Sequence, residues 1–175
     1  MDIEKFERHP HLEKLNEKIE DAAEDSVRAF LMILTIPNRE DQDYMKLLYF
    51  SLKILSQMAK ASSLNKENSE RLRSHFSRPD FQESILNCLQ FKSEPEIVKR
   101  VFLTLGFLFK AGVDLSYTIQ KYGTNLIDFI SENMGNSVLR GVLFFLLQIV
   151  RHGDGSNIIF GHATIVCEKI FILLK

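Results

Sequence analysis

The chain has 175 residues, of which 45% are hydrophobic and 26% charged, and its formal net charge is -1. This composition is typical of a globular domain with its own core and excludes a disordered chain. The 8 Gly and 4 Pro are too few for the turns of a β-sandwich or barrel, so we expect an all-α domain.

The first segment, residues 9–36, has apolar side chains at helical spacing: Leu12, Leu15, Ile19, Ala22 and Val27. Pro10 lies near its start and Pro37 follows its end, which are positions that proline favours at helix boundaries. The segment is one long helix, or two helices if Asp25-Ser26 acts as an internal N-cap. Because residues 1–43 carry 12 acids and 6 bases, we predict an acidic N-terminal helical cap there.

Three strongly apolar helices follow, at residues 44–60, 96–110 and 137–151. A polar stretch, ASSLNKENSE, precedes a further helix that we expect to start at Pro79. A short helix, LSYTIQKY, and a medium one, TNLIDFISENM, separate the second and third long helices. After the third come the turn HGDG, a short element, SNIIFG, and a final helix, HATIVCEKIFILLK.

The long helices share one apolar pattern. An offset of 41 residues aligns Val98, Val101, Leu105 and Leu108 with Leu139, Val142, Leu146 and Ile149. An offset of 53 residues aligns Met45, Leu48, Leu52 and Leu55 with Val98, Val101, Leu105 and Leu108. The extra residues of the first copy fall in ASSLNKENSE, where an insertion is tolerated. A helical period of about 40 residues is the signature of stacked helical repeats.

The chain resembles armadillo and HEAT-type repeat proteins, and a glycine before the second helix favours armadillo. The resemblance rests on Gly123-Thr-Asn-Leu-Ile-Asp-Phe-Ile and Gly161-His-Ala-Thr-Ile-Val-Cys-Glu-Lys-Ile-Phe, each preceded by a short helix and a long apolar one. It covers residues 44–175 and implies a right-handed α-solenoid of about three repeats. It also implies that the third helix of each repeat lines a concave groove that binds other proteins.

No catalytic constellation is visible, so we do not expect an enzyme or a cofactor. The chain lacks the phosphate-loop, zinc-protease and nucleophile-elbow motifs. No metal site is expected, since His9 and His11 have no Cys or His cluster to complete a coordination shell. Cys88 and Cys167 lie in apolar helical patterns, which indicates small buried side chains in a reducing compartment, cytoplasmic or nuclear.

Membrane and nucleic-acid partners receive little support. The apolar run at residues 142–150 is far shorter than the roughly twenty residues of a membrane-spanning helix. Residues 71–78, RLRSHFSR, form a small basic cluster that suits phosphate, but a solvated helix face explains the cluster equally well. Nucleic-acid binding therefore remains a weaker alternative.

The long helices offer a stronger set of cations. Residues 44–60, 97–113 and 138–153 contain no Asp or Glu. Residues eleven apart on a helix lie about 20° apart on one face, and the repeat offsets place equivalent residues on neighbouring helices. Two rows of equivalent residues result, which we call ladders. The first ladder is Lys46, Lys99 and Arg140, and the second is Gln57, Lys110 and Arg151. Lys53 is a further cation of the first long helix. Cations near helix C-termini have a purely structural explanation, whereas Lys99 and Arg140 lie near helix N-termini, where a cation is unfavourable.

We therefore predict a non-catalytic interaction module that binds an acidic or amphipathic segment of a partner protein through these seven residues. The alternative is a helical bundle that takes a partner helix, or self-associates through Phe144, Phe145 and residues 170–174. Three repeats are near the minimum for stability, and the apolar C-terminal helix lacks a polar outer face. Both features favour a homodimer or an obligate complex.

Overall fold

The computed structural model describes residues 10–37, 39, 41–64, 70, 73–115, 117, 118, 121 and 136–152. They form helices α1 (Pro10–Ile33), α2 (Gln42–Ser62), α3 (Pro79–Asn87), α4 (Pro95–Lys110) and α5 (Asn136–His152), with a 3-10 turn at Cys88–Gln90. Residues 73–76 are also helical, and these ranges contain no strand. The predicted all-α class is confirmed.

Prolines and one glycine set the helix boundaries, and α3 begins at Pro79 as the sequence predicts. Pro79 and Pro95 occupy the first turns of α3 and α4, where the missing N–H has no helical partner to lose. Gly112 follows α4 with a φ of 75°, a left-handed conformation that glycine adopts without strain. α1 is continuous, because the Ser26 hydroxyl donates to the Ala22 carbonyl one turn back at 2.6 Å instead of capping a new helix.

One hydrophobic core receives side chains from all five helices. α1 contributes Phe30, whose ring meets that of Phe81 of α3 edge-to-face at 5.9 Å. Of the repeat-equivalent apolar positions of the three long helices, Met45 is half-buried and the others are buried: Leu48, Leu52, Leu55, Val98, Val101, Leu105, Leu108, Leu139, Val142, Leu146 and Ile149. The predicted boundary between the cap and the repeats, at residues 43 and 44 of a single domain, falls in the first turn of α2, within the region that shares this core.

The helices α2, α4 and α5 lie side by side and run in the same direction. The cleft between α2 and α4 brings Met45 near Ile97, and Arg100 lies over the Tyr49 ring at 5.7 Å, so the contacts advance along both helices together. Contacts between α4 and α5 join residues 37 to 43 apart, such as Phe102 with Phe145. These separations are close to the repeat offsets of 53 and 41, so equivalent residues lie at nearly the same level.

A buried amide joins α3 to the segment after α4. Gln82 is almost fully buried, and its Nε2 donates to the carbonyls of Phe76 and Asp114 at 3.2 and 2.8 Å. Its Oε1 accepts from the hydroxyl of Thr118. A buried polar group with every hydrogen-bonding atom satisfied holds the elements it joins in one register.

Several predicted segments lie outside the described residues. They include TNLIDFISENM, everything after His152 and both glycine-led motifs that carry the armadillo resemblance. LSYTIQKY is described only in part, with residues 117, 118 and 121 helical. Within the ranges that are described, no helix has the length and apolar character needed to cross a bilayer.

Cys88 is fully buried, as the sequence predicts, and its thiol donates to the Ser84 carbonyl at 3.3 Å. Burial raises the pKa of this thiol from an ordinary 9.0 to about 12. Because the thiolate is the reactive form, we expect Cys88 in a Cys167→Ser variant to resist alkylation at about pH 8 until denaturant is added. Mass spectrometry measures the alkylated fraction, and rapid alkylation of the folded protein would contradict the burial.

The same shift in pKa gives a pH dependence. The unfolded chain ionises Cys88 near its ordinary pKa of 9.0, whereas the folded chain keeps the thiol neutral up to about 12. The contribution of this buried thiol to stability is therefore complete below about pH 9 and is lost as the pH rises toward 12.

Candidate functional site

The seven predicted binding residues all lie on the three parallel helices, on the side away from the core. Lys53 and Lys99 are half-buried, and the other five are exposed: Lys46, Gln57, Lys110, Arg140 and Arg151. The stripe of Val101, Leu105 and Leu108 on the opposite side of α4 is buried. The structure thus places the two ladders on one solvent-facing surface, which we call the basic face.

The basic face carries a large excess of positive charge. Helices α2, α4 and α5 contain eight Lys and Arg residues but only two acids, Asp43 and Glu96. Helices α4 and α5 also carry half-buried apolar side chains, among them Leu103, Phe107 and Phe144. A surface that mixes cations with partly exposed apolar groups suits a ligand that is both acidic and amphipathic.

Both acids form ion pairs that the sequence analysis missed. Asp43 Oδ1 accepts from Lys46 Nζ at 2.9 Å, and Glu96 Oε1 accepts from Lys99 Nζ at 3.2 Å. The two pairs occupy equivalent first turns of α2 and α4, where an acid is favoured by the helix dipole. The hydrogen bond that Lys46 donates to Asp43 also raises the pKa of Lys46.

These pairs overturn one argument for a ligand. Lys99 is tolerated near a helix N-terminus because Glu96, one turn earlier, neutralises it. The ranges without Asp or Glu start at residues 44 and 97, one residue after Asp43 and Glu96, so they leave both acids out. The spacing of three residues between each acid and its lysine is nevertheless visible in the sequence. Arg140 keeps the original argument, because the first turn of α5 contains no acid.

An open cleft of about 960 Å³ lies between the N-terminal halves of α2 and α4. Its apolar lining comes from Met45, Tyr49, Phe91 and Ile97. Charged groups of both signs also line it, including Lys46 of the first ladder: Arg39, Lys46, Glu94 and Glu96. The cleft can accept an apolar side chain flanked by polar groups, and its position was not apparent from the sequence.

The small basic cluster has structural contacts of its own. Arg73 Nε donates to the Ala111 carbonyl at 3.3 Å, at the C-terminus of α4. Arg78 pairs with Asp80 at 2.6 Å and lowers the pKa of that carboxyl group. Arg71, which belongs to the same cluster, lies outside the described residues. These contacts account for Arg73 and Arg78 without a phosphate ligand.

The self-association surface predicted as the alternative is wrong to include Phe145, which is buried. Phe145 is 1% exposed and packs against Phe102 at 5.9 Å, while Phe144 is half-buried against Phe107 at 4.6 Å. An apolar helix that faces a neighbour on one side buries the residues on that side, and α4 is that neighbour. Residues 170–174 lie outside the described part of the chain.

No family model, no curated protein and no solved structure matches the chain. The armadillo resemblance therefore rests on the sequence motifs of this chain alone.

Proposed function

We propose that the chain is a non-catalytic protein-interaction module, built as an armadillo-like right-handed solenoid of about three repeats. Its ligand is an acidic or amphipathic segment of a partner protein, which lies across the basic face. The module would act as a scaffold or subunit of an intracellular complex.

One observation carries the proposal: cations recur at repeat-equivalent positions on three parallel helices whose opposite sides share a core. A core requirement does not select charge at solvent-facing positions. The helix dipole suits Lys110 and Arg151 at helix C-termini, and Glu96 neutralises Lys99. Arg140, and the shared phase of the four cations across the helices, still call for another explanation. Binding of an acidic ligand that crosses the helices supplies one. Complementary charge of this kind contributes mainly to specificity and to the rate of association.

Arg140 and Arg151 are the most informative residues for a test. Both are exposed, and α5 contains no acid that could neutralise them. Among the described residues no acid pairs with Arg140 or Arg151, whereas at Lys46 and Lys99 a ligand's acidic groups compete with Asp43 and Glu96.

The test compares an Arg140→Glu/Arg151→Glu variant with a matched Arg28→Glu/Lys92→Glu control, which changes the net charge equally away from the basic face. Each tagged full-length chain is used for affinity capture from cell extract, with circular dichroism to verify folding. We expect the partners held by the unmodified chain to fall about tenfold with the first variant and to persist with the control. Unchanged capture by both would refute the proposal, and steeply salt-dependent binding to arbitrary nucleic acid would favour the weaker alternative.

A further inference from the structure

The outer side of α2 exposes a regular apolar stripe. Leu47, Phe50 and Ile54 are 50%, 55% and 50% exposed. The same spacing of three and four residues continues to Gln57 and Ala61, which are also exposed. Alternation of three and four residues is the seam by which one helix of a coiled coil packs against another. We call these five residues the α2 seam.

The repeat-equivalent positions of the other two long helices are less exposed. On α4 they are Arg100, Leu103 and Phe107, all half-buried, and Arg100 lies over Tyr49 of α2. On α5 they include Gly141 and Phe144, which pack against α4. These positions therefore contact neighbouring long helices, Phe107 through the Phe144 ring of α5, whereas the α2 seam is exposed.

Lysines follow one flank of the seam. Lys46, Lys53 and Lys60 lie seven residues apart, each directly before a seam position. In a coiled coil these flanking positions pair with charged residues of the partner helix. On the other flank Ser51 is buried and Met58 is half-buried. Only the lysine flank can therefore discriminate between acidic and basic residues of a partner helix.

The existing ion pair of Lys46 does not prevent such pairing. The side chains of Lys46 and Asp43 are 65% and 81% exposed, and an exposed pair of this kind contributes little to stability. A second copy of α2 is a poor occupant of the seam. In an antiparallel pair its lysines would meet these lysines, and in a parallel pair they would meet Ser51 and Met58, so neither arrangement supplies acids. Charge complementarity instead selects an acidic helix.

We infer that the α2 seam docks an amphipathic helix of a partner protein, with aliphatic residues facing the seam and Asp or Glu facing the three lysines. The inference rests on the proposed function and narrows it, since it specifies a helical ligand and a location on α2. It makes no use of Arg140 or Arg151, so the two proposals can fail separately.

The test uses the full chain and a fluorescent helical peptide of about four heptads, with Leu at the two seam positions and Glu at the flanking positions. A second peptide with Lys at the flanks is the control. We expect fluorescence anisotropy to show saturable binding of the acidic peptide only. Phe50→Ser should weaken this binding about thirtyfold, the usual loss for an interface anchor, and Lys53→Glu/Lys60→Glu should shift preference to the basic peptide.

Phe50 is half-exposed, so its replacement leaves the core intact, and thermal unfolding verifies this. Absence of acidic-peptide binding, equal binding of both peptides, or binding unaffected by Phe50→Ser would overturn the inference. A dimer of the free chain that Phe50→Ser converts to monomer in sedimentation would also overturn it, by identifying a second copy as the occupant. If the seam binds while Arg140→Glu/Arg151→Glu leaves capture unchanged, the basic face alone is refuted.

Discussion

Replacing Phe102 with alanine is expected to lower the free energy of unfolding by about 3–5 kcal/mol, the usual cost of removing a buried ring. Phe102 is fully buried in α4, and its ring lies 5.9 Å from that of Phe145. It also lies beside Gly141, where a Cβ atom would approach the Phe102 Cβ at 3.5 Å. Because the two helices contact through this ring, the cavity cannot close without moving α5.

Urea denaturation followed by circular dichroism measures the change in the unfolding free energy of Phe102→Ala. Leu103→Ala is the matched control, since Leu103 is the next residue of α4 and is only half-buried. We expect the control to cost about 1 kcal/mol. Equal losses in the two variants would show that α4 and α5 do not pack through the Phe102 side.

The second large effect is expected at Gln82. A Gln82→Leu substitution keeps the approximate volume but removes the donor to the Phe76 and Asp114 carbonyls and the acceptor for Thr118. Leaving buried polar groups without partners costs about 1–3 kcal/mol for each group. Two of these hydrogen bonds are fully buried, the one to the Phe76 carbonyl and the one from the Thr118 hydroxyl. We therefore expect a total loss of about 2–6 kcal/mol, with α3 and the segment after α4 loosened together.

Hydrogen exchange measures both consequences of Gln82→Leu, through global stability and through local protection of residues 79–90 and 113–115. Gln57→Leu is the matched control, because Gln57 carries the same amide on the exposed side of α2. The control should leave protection unchanged. Full protection in Gln82→Leu would mean that the amide does not join these elements.

The helices of the fold were predictable because their signals are local. Pro79, Pro95 and Gly112 set boundaries through backbone restrictions that act within one turn, and the stripe through Leu105 needs only helical periodicity. The continuity of α1 at Ser26 was left open in the sequence because serine suits both a cap and a back-bonded position.

The candidate site was less predictable because it depends on which helix neighbours which. Sequence spacing is enough to place Lys99 and Arg140 at the same angular position on their helices. The pairing of Lys99 depends in addition on Glu96, an acid in the first turn of α4. The α2 seam has a visible heptad spacing. Its exposure, however, depends on α4 packing on only one side of α2, and periodicity alone cannot tell a covered apolar stripe from an open one.

Two glycines bring α4 and α5 close together. A Cβ at Gly141 would lie 2.9 Å from the Lys99 carbonyl oxygen, and one at Gly106 would lie 2.7 Å from the Phe144 ring. Packed helices are about 8–10 Å apart, and a ligand in the polyproline II conformation advances about 3.1 Å per residue with three residues per turn. Such an extended ligand, crossing from Lys110 to Arg151, therefore presents every third side chain to successive cations, whereas a helix along α2 presents every seventh to its lysines. The interval between acids in a ligand sequence thus distinguishes an extended ligand on the basic face from a helix on the α2 seam.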